Sequence, residues 1–221
     1  MRKLVFANNE IYHVFNRGIE KRDIFTNKRE FSRAILTLNY YRLLETPLRL
    51  SKALQLEKEK RIEFFKSLEQ GIKRIEVIAY CLMPNHFHLL LKQTVSGGLQ
   101  RYLADFQNSY TRYFNTRHNK RNGPLFQGAF KAVHIEDDNQ LIHVSRYIHI
   151  NPVVSFLLDE EKLDSYEWSS YPEYVSLGLV KMCDTDLILR LFKSQRSYRR
   201  FVHNHIDYAK KLERIKHLVL E

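Results

Sequence analysis

Only two of the 221 residues are cysteine, Cys81 and Cys183. That excludes a disulfide framework and a four-cysteine zinc site, and it fits a reducing compartment. Seven glycines and five prolines leave little material for long flexible linkers. No apolar run approaches the ~18 residues of a membrane span. The start, Met1-Arg2-Lys3, meets Asn8, Asn9 and Glu10 too early for a signal-peptide core. Acids are scarce as well: 25 Asp and Glu face 36 Lys and Arg, a formal charge of +11. With 44% hydrophobic and 28% charged residues the chain can still bury a core, so a disordered or fibrous protein is excluded. The expectation is a soluble, intracellular, basic protein of one large domain, or one domain with an appendage.

Such a charge makes nucleic acid the leading class of partner, because neutralising phosphates releases condensed counterions. The alternative is a basic surface that is merely solvated. From Leu99 to Lys131 there are six bases (Arg101, Arg112, Arg117, Lys120, Arg121 and Lys131) against one acid, Asp105. Between Lys181 and Glu221 ten bases face five acids. The first stretch also interleaves Phe106, Tyr110, Tyr113, Phe114 and Phe126, although the helical spacing of most of these marks them as core.

No internal repeat or low-complexity segment interrupts the chain. Ile11 to Asn16 reads as a strand closed by Arg17-Gly18. Phe31 to Leu44 carries a helical apolar stripe, and Leu50 to Gln70 reads as a charged helix. Ile75–Leu82 and Phe87–Lys92 are apolar strands about a Met83-Pro84-Asn85 turn. Leu99, Leu103, Phe106, Tyr110 and Phe114 predict a long amphipathic helix, Ala132–Ile135 a strand, and Leu141–Ile150 a helix stopped by Pro152. Asp138 is the expected cap of that last helix. Setting aside the charged helix, the order is β-α-β-β-α-β and one more helix. This predicts an α+β fold, a ferredoxin-like antiparallel sheet with helices on one face. Residues 1–178 are expected to form the main domain, and 179–221 a basic helical C-terminal extension.

Two motifs carry chemistry. If residues 86–91 are a strand, Phe87, Leu89 and Leu91 face one way and His86 and His88 the other. Two imidazoles at i and i+2 either chelate one divalent metal or stand as surface histidines on a half-buried strand. In Arg146-Tyr147-Ile148-His149-Ile150-Asn151-Pro152, Tyr147 and Asn151 lie one turn apart on the flank of an apolar face made by Leu141, Val144 and Ile148. They are either a hydroxyl in a cleft with a carboxamide ligand, or a rim aromatic with a C-cap residue. The chemistry that unites the four is attack by a tyrosine hydroxyl on a phosphodiester beside a metal. Tyr110 and Tyr113 are rival nucleophiles, but both fall on the apolar stripe of their helix. His13 is a candidate general base, and His134, His143 and His149 are expected at the surface or facing DNA.

These segments together resemble the HUH-type single-tyrosine transposases of insertion sequences, and more closely the REP-associated tyrosine transposases. Tyr12-His13-Val14 through Arg17-Gly18 looks like that family's first strand. Met83-Pro84-Asn85-His86-Phe87-His88-Leu89 carries its histidine–hydrophobe–histidine motif. Gly123-Pro124-Leu125-Phe126-Gln127-Gly128, the Tyr-x-x-x-Asn pattern of 147–151 and Trp168-Ser169-Ser170 follow in order, so that the likeness spans about residues 10–175. The resemblance implies Tyr147 as the nucleophile that forms a 5′-phosphotyrosine, and His86, His88 and Asn151 as ligands of Mg²⁺ or Mn²⁺. It implies a cytoplasmic, nucleoid-associated strand transferase acting on single-stranded DNA and DNA hairpins, REP-like or at insertion-sequence ends. The chain would act as a monomer or homodimer with no membrane partner. Arg17, Arg112, Arg117, Lys120, Arg121, Phe126, Lys131 and Arg146 are the expected DNA contacts. Two positions depart from the pattern: Phe126 where tryptophan is common, and Ala129 where arginine is usual. The rival readings are a hairpin binder that has lost cleavage, a replication initiator of the same chemistry, and a zinc hydrolase.

Overall fold

The computed structural model describes residues 5–176 and 182–219. The Met1-Arg2-Lys3 start and the expected boundary at 178/179 lie outside the described residues. In chain order the elements are β1 (Ile11–Arg17), α1 (Lys28–Tyr41), α2 (Leu50–Ala53), α3 (Lys58–Leu68), β2 (Ile75–Met83), β3 (His86–Gln93), α4 (Gly98–Arg117), β4 (Lys131–Ile135) and α5 (Asp138–Val154). Then come α6 (Tyr171–Val175), α7 (Asp186–Leu189), α8 (Gln195–His203) and α9 (Ile206–Val219). The strands form an open four-stranded sheet in the order β2-β3-β1-β4, with every neighbouring pair antiparallel.

Alternation along β1, β2 and β3 sorts their side chains between two cores. Tyr12, Val14, Phe87, Leu89 and Leu91 enter one, packed with Ala34 and Leu38 of α1 and with Leu103, Phe106 and Tyr110 of α4. Ala79, Cys81, Met83 and Leu90 enter the other, with Leu141, Ile148 and Val153 of α5 and with Tyr171, Tyr198, Val202 and Ile206. A register shift between Val77 and Ala79 lets Ile78 and Ala79 both serve the second core while Val77 and Tyr80 serve the first.

Helices therefore cover both faces of the sheet, not one as expected. The physical reason is that β2 is apolar on both sides and β3 adds Leu90 to the second face, and a sheet with apolar residues on two faces must be covered twice. The α1/α4 layer lies on one side, and α5 with the helices after it on the other. Two further differences are local. The charged helix expected over 50–70 is two helices, with Leu50 and Ala53 of α2 buried and no buried residue in α3. Pro152 does not stop α5, which runs to Val154. The proline there costs only one amide donor near the helix end. The cap of α5 is Asp137, whose carboxylate accepts from the Gln140 amide at 2.7 Å, so Asp138 is the first helical residue. Among the described residues no helix is long and apolar enough to cross a membrane.

Candidate active site

Register brings the histidines together. Opposite β3, Phe15 of β1 pairs with His88 and Arg17 with His86, so His13, Phe15, Arg17, His86 and His88 share the face that α5 crosses. His13 Nε2 lies 3.0 Å from His88 Nδ1, and the two rings stack with centroids 5.2 Å apart. His88 is thereby left with Nε2 as the nitrogen available to a ligand. His86 Nδ1 donates to the Asn85 carboxamide oxygen at 2.5 Å, which likewise leaves Nε2 with its lone pair. From α5 the Asn151 side chain reaches His86 closely enough to work toward raising its pKa. One turn earlier on the same helix, the Tyr147 ring stands edge-on to His88 and His13, at centroid distances of 5.3 and 5.9 Å. Tyr147 is 48% exposed. The four residues of the two motifs thus converge, with His13 as a fifth.

Burial sets the protonation of this cluster. It lowers His13 from 6.5 to about 4. It lowers His88 well below the usual histidine value, with the neighbouring His86 and His13 charges adding to the effect. Burial also lowers His86, against the Asn151 side chain, which works to raise it. At neutral pH the three imidazoles are uncharged, the form that binds a cation. With its Nε2 engaged by His88, His13 is placed to orient His88.

Beside His86 opens a cleft of about 450 Å³ lined by Phe15, Arg17, Lys21, Asn85, Gln127 and Lys131 among others. Arg17, Lys21 and Lys131 give it three cations, and no carboxylate lines it. Among the described residues no group of three His, Cys, Asp or Glu side chains is placed to hold a metal. A cation here would therefore take two imidazole nitrogens and the Asn151 carboxamide oxygen, with further positions left for oxygen ligands.

The expected DNA contacts do not gather in one place. Arg17 and Lys131 line the cleft, whereas Arg112 and Arg117 lie on α4 in the opposite layer. Arg121 bonds Asn115 and the Pro124 carbonyl within its own turn, and Lys120 is exposed on that turn. The Arg146 guanidinium sits over the Phe201 ring at 4.2 Å. Phe126 is only 6% exposed and packs edge-on against Phe87, so its ring is not available to stack on a base. His149, expected at the surface, has no exposed area and bonds Tyr198 and Ser170. Tyr110 is buried with its hydroxyl on the Ile24 carbonyl at 2.6 Å, and Tyr113 is half-buried beside it. Sequence reasoning missed Phe15, Lys21 and Gln127. Phe15 and Arg17 share the parity of His13 on β1, a signal that was present.

Residues 37–151, just over half of the chain, match the family described as Transposase IS200 like. That segment contains His86, His88, Tyr147 and Asn151. Among solved structures, one described as a REP-associated tyrosine transposase bound to a REP hairpin is similar over 82% of this chain and 88% of its own. The identity is 16% and the TM-score 0.52, so this likeness concerns the fold. A putative transposase from Deinococcus radiodurans matches 67% of this chain and 95% of its own at 14% identity, with a TM-score of 0.35. No curated protein sequence matches the chain.

Proposed function

The chain belongs to the IS200-like transposase family, and from that premise we propose that it is a metal-dependent, single-strand-specific DNA endonuclease and strand transferase whose nucleophile is Tyr147. The observation that carries the reading is the Tyr147 ring against His88, one helical turn from Asn151 on His86. In this reading the Tyr147 hydroxyl gives up its proton to solvent as its oxygen attacks a backbone phosphorus, a Tyr–O–P bond forms, and the P–O3′ bond of the strand breaks. The departing 3′ oxygen takes up a proton, and the 5′ end stays on the protein as a phosphotyrosine. A second 3′-hydroxyl then attacks the same phosphorus, the tyrosine leaves, and one phosphodiester has been exchanged for another with no outside energy.

His86, His88 and Asn151 would hold Mg²⁺ or Mn²⁺. When bound, the ion polarises the scissile phosphate and offsets charge in the transition state. Arg17, Lys21 and Lys131 draw the strand into the cleft through its phosphates. The substrates proposed are single-stranded DNA beside hairpins, of the REP type or at insertion-sequence ends.

Tyr147→Phe tests the assignment. It should keep hairpin binding and yield no covalent protein–DNA adduct on a denaturing gel with Mg²⁺ present. An adduct that survives this change removes Tyr147 from the role. Absence of adduct with the unchanged protein would favour a hairpin binder without cleavage. Replacing His86 and His88 together by alanine should abolish the same adduct, and a double variant that cuts normally in chelator would refute the metal site.

A further inference from the structure

Helix α3 packs on the α1/α4 layer, yet none of its 11 residues is buried. A helix of that length is marginal in water on its own, because nucleation is costly and packing of an apolar face supplies most of its stability. Phe64, Phe65 and Leu68 are half-buried against the first core, while Ile62 on the neighbouring flank is 59% exposed.

The flank that carries Ile62 opens on a groove. One hollow, of about 480 Å³, lies between Leu36 of α1, Leu54 and the Ile62–Phe65 turn of α3. A second, of about 110 Å³, continues it past Tyr40 and Leu43 to Lys73. The two share Leu36, Phe65 and Glu69, so they form one trough between α1 and α3. Arg42, Arg61, Lys66 and Lys73 line it against a single carboxylate, Glu69. Arg42 donates to the Met182 carbonyl at 2.6 Å. The one ion pair of α3 among the described residues joins Lys60 to Glu57, which leaves Arg61, Lys66 and Lys73 without a carboxylate.

An apolar floor under a cationic rim selects its occupant. A phosphate backbone would meet the rim and gain nothing from Leu36, Leu54 and Phe65. A second copy of this chain, with a formal charge of +11 and the same rim, would bring like charge to like. A helix with apolar residues at i, i+3 or i+4 and i+7, flanked by Asp or Glu, answers both floor and rim. The stretch from Arg61 to Glu69 offers it roughly 12 Å, about two turns. We propose that the trough between α1 and α3 is a docking site for an acidic amphipathic helix of a partner protein, on the other side of the sheet from Tyr147. The proposal does not rest on the Tyr147 chemistry.

The probe is a displayed library of helix-forming peptides with randomised faces, selected on the full chain. Selection should enrich an apolar stripe flanked by Asp or Glu. Ile62, Lys66 and Lys73 are all exposed, so changing them spares the core. Ile62→Asp should weaken a selected peptide, measured by fluorescence anisotropy, by at least about tenfold, the loss of one interface anchor. Lys66→Glu with Lys73→Glu should weaken it as well. That double variant should in turn bind the peptide's Glu-to-Lys version more tightly than the unaltered chain does, a gain that a misfolded variant could not show. A selection without binders, or one that yields basic or uncharged peptides, would overturn the proposal. So would binders that Ile62→Asp leaves at full affinity. Self-association of the unaltered chain that Ile62→Asp abolishes would give the trough to a second copy instead, and a duplex that displaces the selected peptide would give it to nucleic acid.

Discussion

His149 stands two residues beyond Tyr147, fully buried, with Nδ1 2.7 Å from the Tyr198 hydroxyl and Nε2 2.8 Å from Ser170 Oγ. Ser170 in turn bonds the Tyr80 backbone of β2, so this imidazole ties α5, the helix that carries Tyr147, to the sheet. Burial lowers its pKa from 6.5 to about 3, and His13, His86 and His88 shift in the same direction. Between those limits the unfolded chain binds protons that the folded chain refuses. The stability held by these neutral histidines is therefore whole above about pH 6.5 and is lost as pH falls toward their folded pKa values. Denaturant midpoints measured from about pH 7 to about pH 5 should drop, at up to about 1.4 kcal/mol per pH unit for each histidine that stays neutral. His149→Gln should flatten part of that slope, and a wild-type profile flat over this range would contradict the burial. The sequence made His86 and His88 legible because strand parity fixes their common face. His149 was not legible, because the groups that cover it arrive from residues 170 and 198, which no local period connects to α5.

The presence of the elements followed from periodicity: the stripes over 31–44 and 99–115 fall in α1 and α4, although α1 starts and ends three residues earlier than the stripe. What periodicity does not carry is the local exception. The slip at Ile78 and the run of α5 through Pro152 depend on what each element packs against. The end of β1 shows how strict such a local demand is. Gly18 closes the strand with φ −63°, which any residue adopts, so the need for glycine there is steric. An added Cβ would lie 2.3 Å from the Arg22 carbonyl oxygen and 2.8 Å from Ile24 Cγ2. The backbone oxygen cannot yield without moving the 18–24 turn, which carries Lys21 and follows Arg17 at the cleft. Gly18→Ala should cost roughly 1–3 kcal/mol by thermal melting and slow adduct formation, since overpacking displaces backbone. Wild-type stability in that variant would show that the turn relaxes freely.

The sheet divides the described residues into two layers. The α5 side holds the histidines and Tyr147, and the α1/α4 side holds the trough between α1 and α3. The β-α-β-β-α-β order was legible in the sequence. That the helices after α5 return to cover the layer of Tyr147 was not, because α8 and α9 reach α5 only through tertiary contacts. Tyr198 of α8 is the tie: its ring is fully buried in the second core, and its hydroxyl lies 2.5 Å from Ser145 Oγ and 2.7 Å from His149 Nδ1 on α5. Tyr198→Ala should cost on the order of 3–5 kcal/mol, as expected for emptying a large aromatic site. Tyr198→Phe keeps the ring and strands Ser145 and His149 without their partner, at about 1–3 kcal/mol. If α8 braces α5, Tyr198→Phe assayed below its melting transition should slow adduct formation, and a variant that forms adduct at the wild-type rate would show that α5 keeps its place without the Tyr198 hydroxyl.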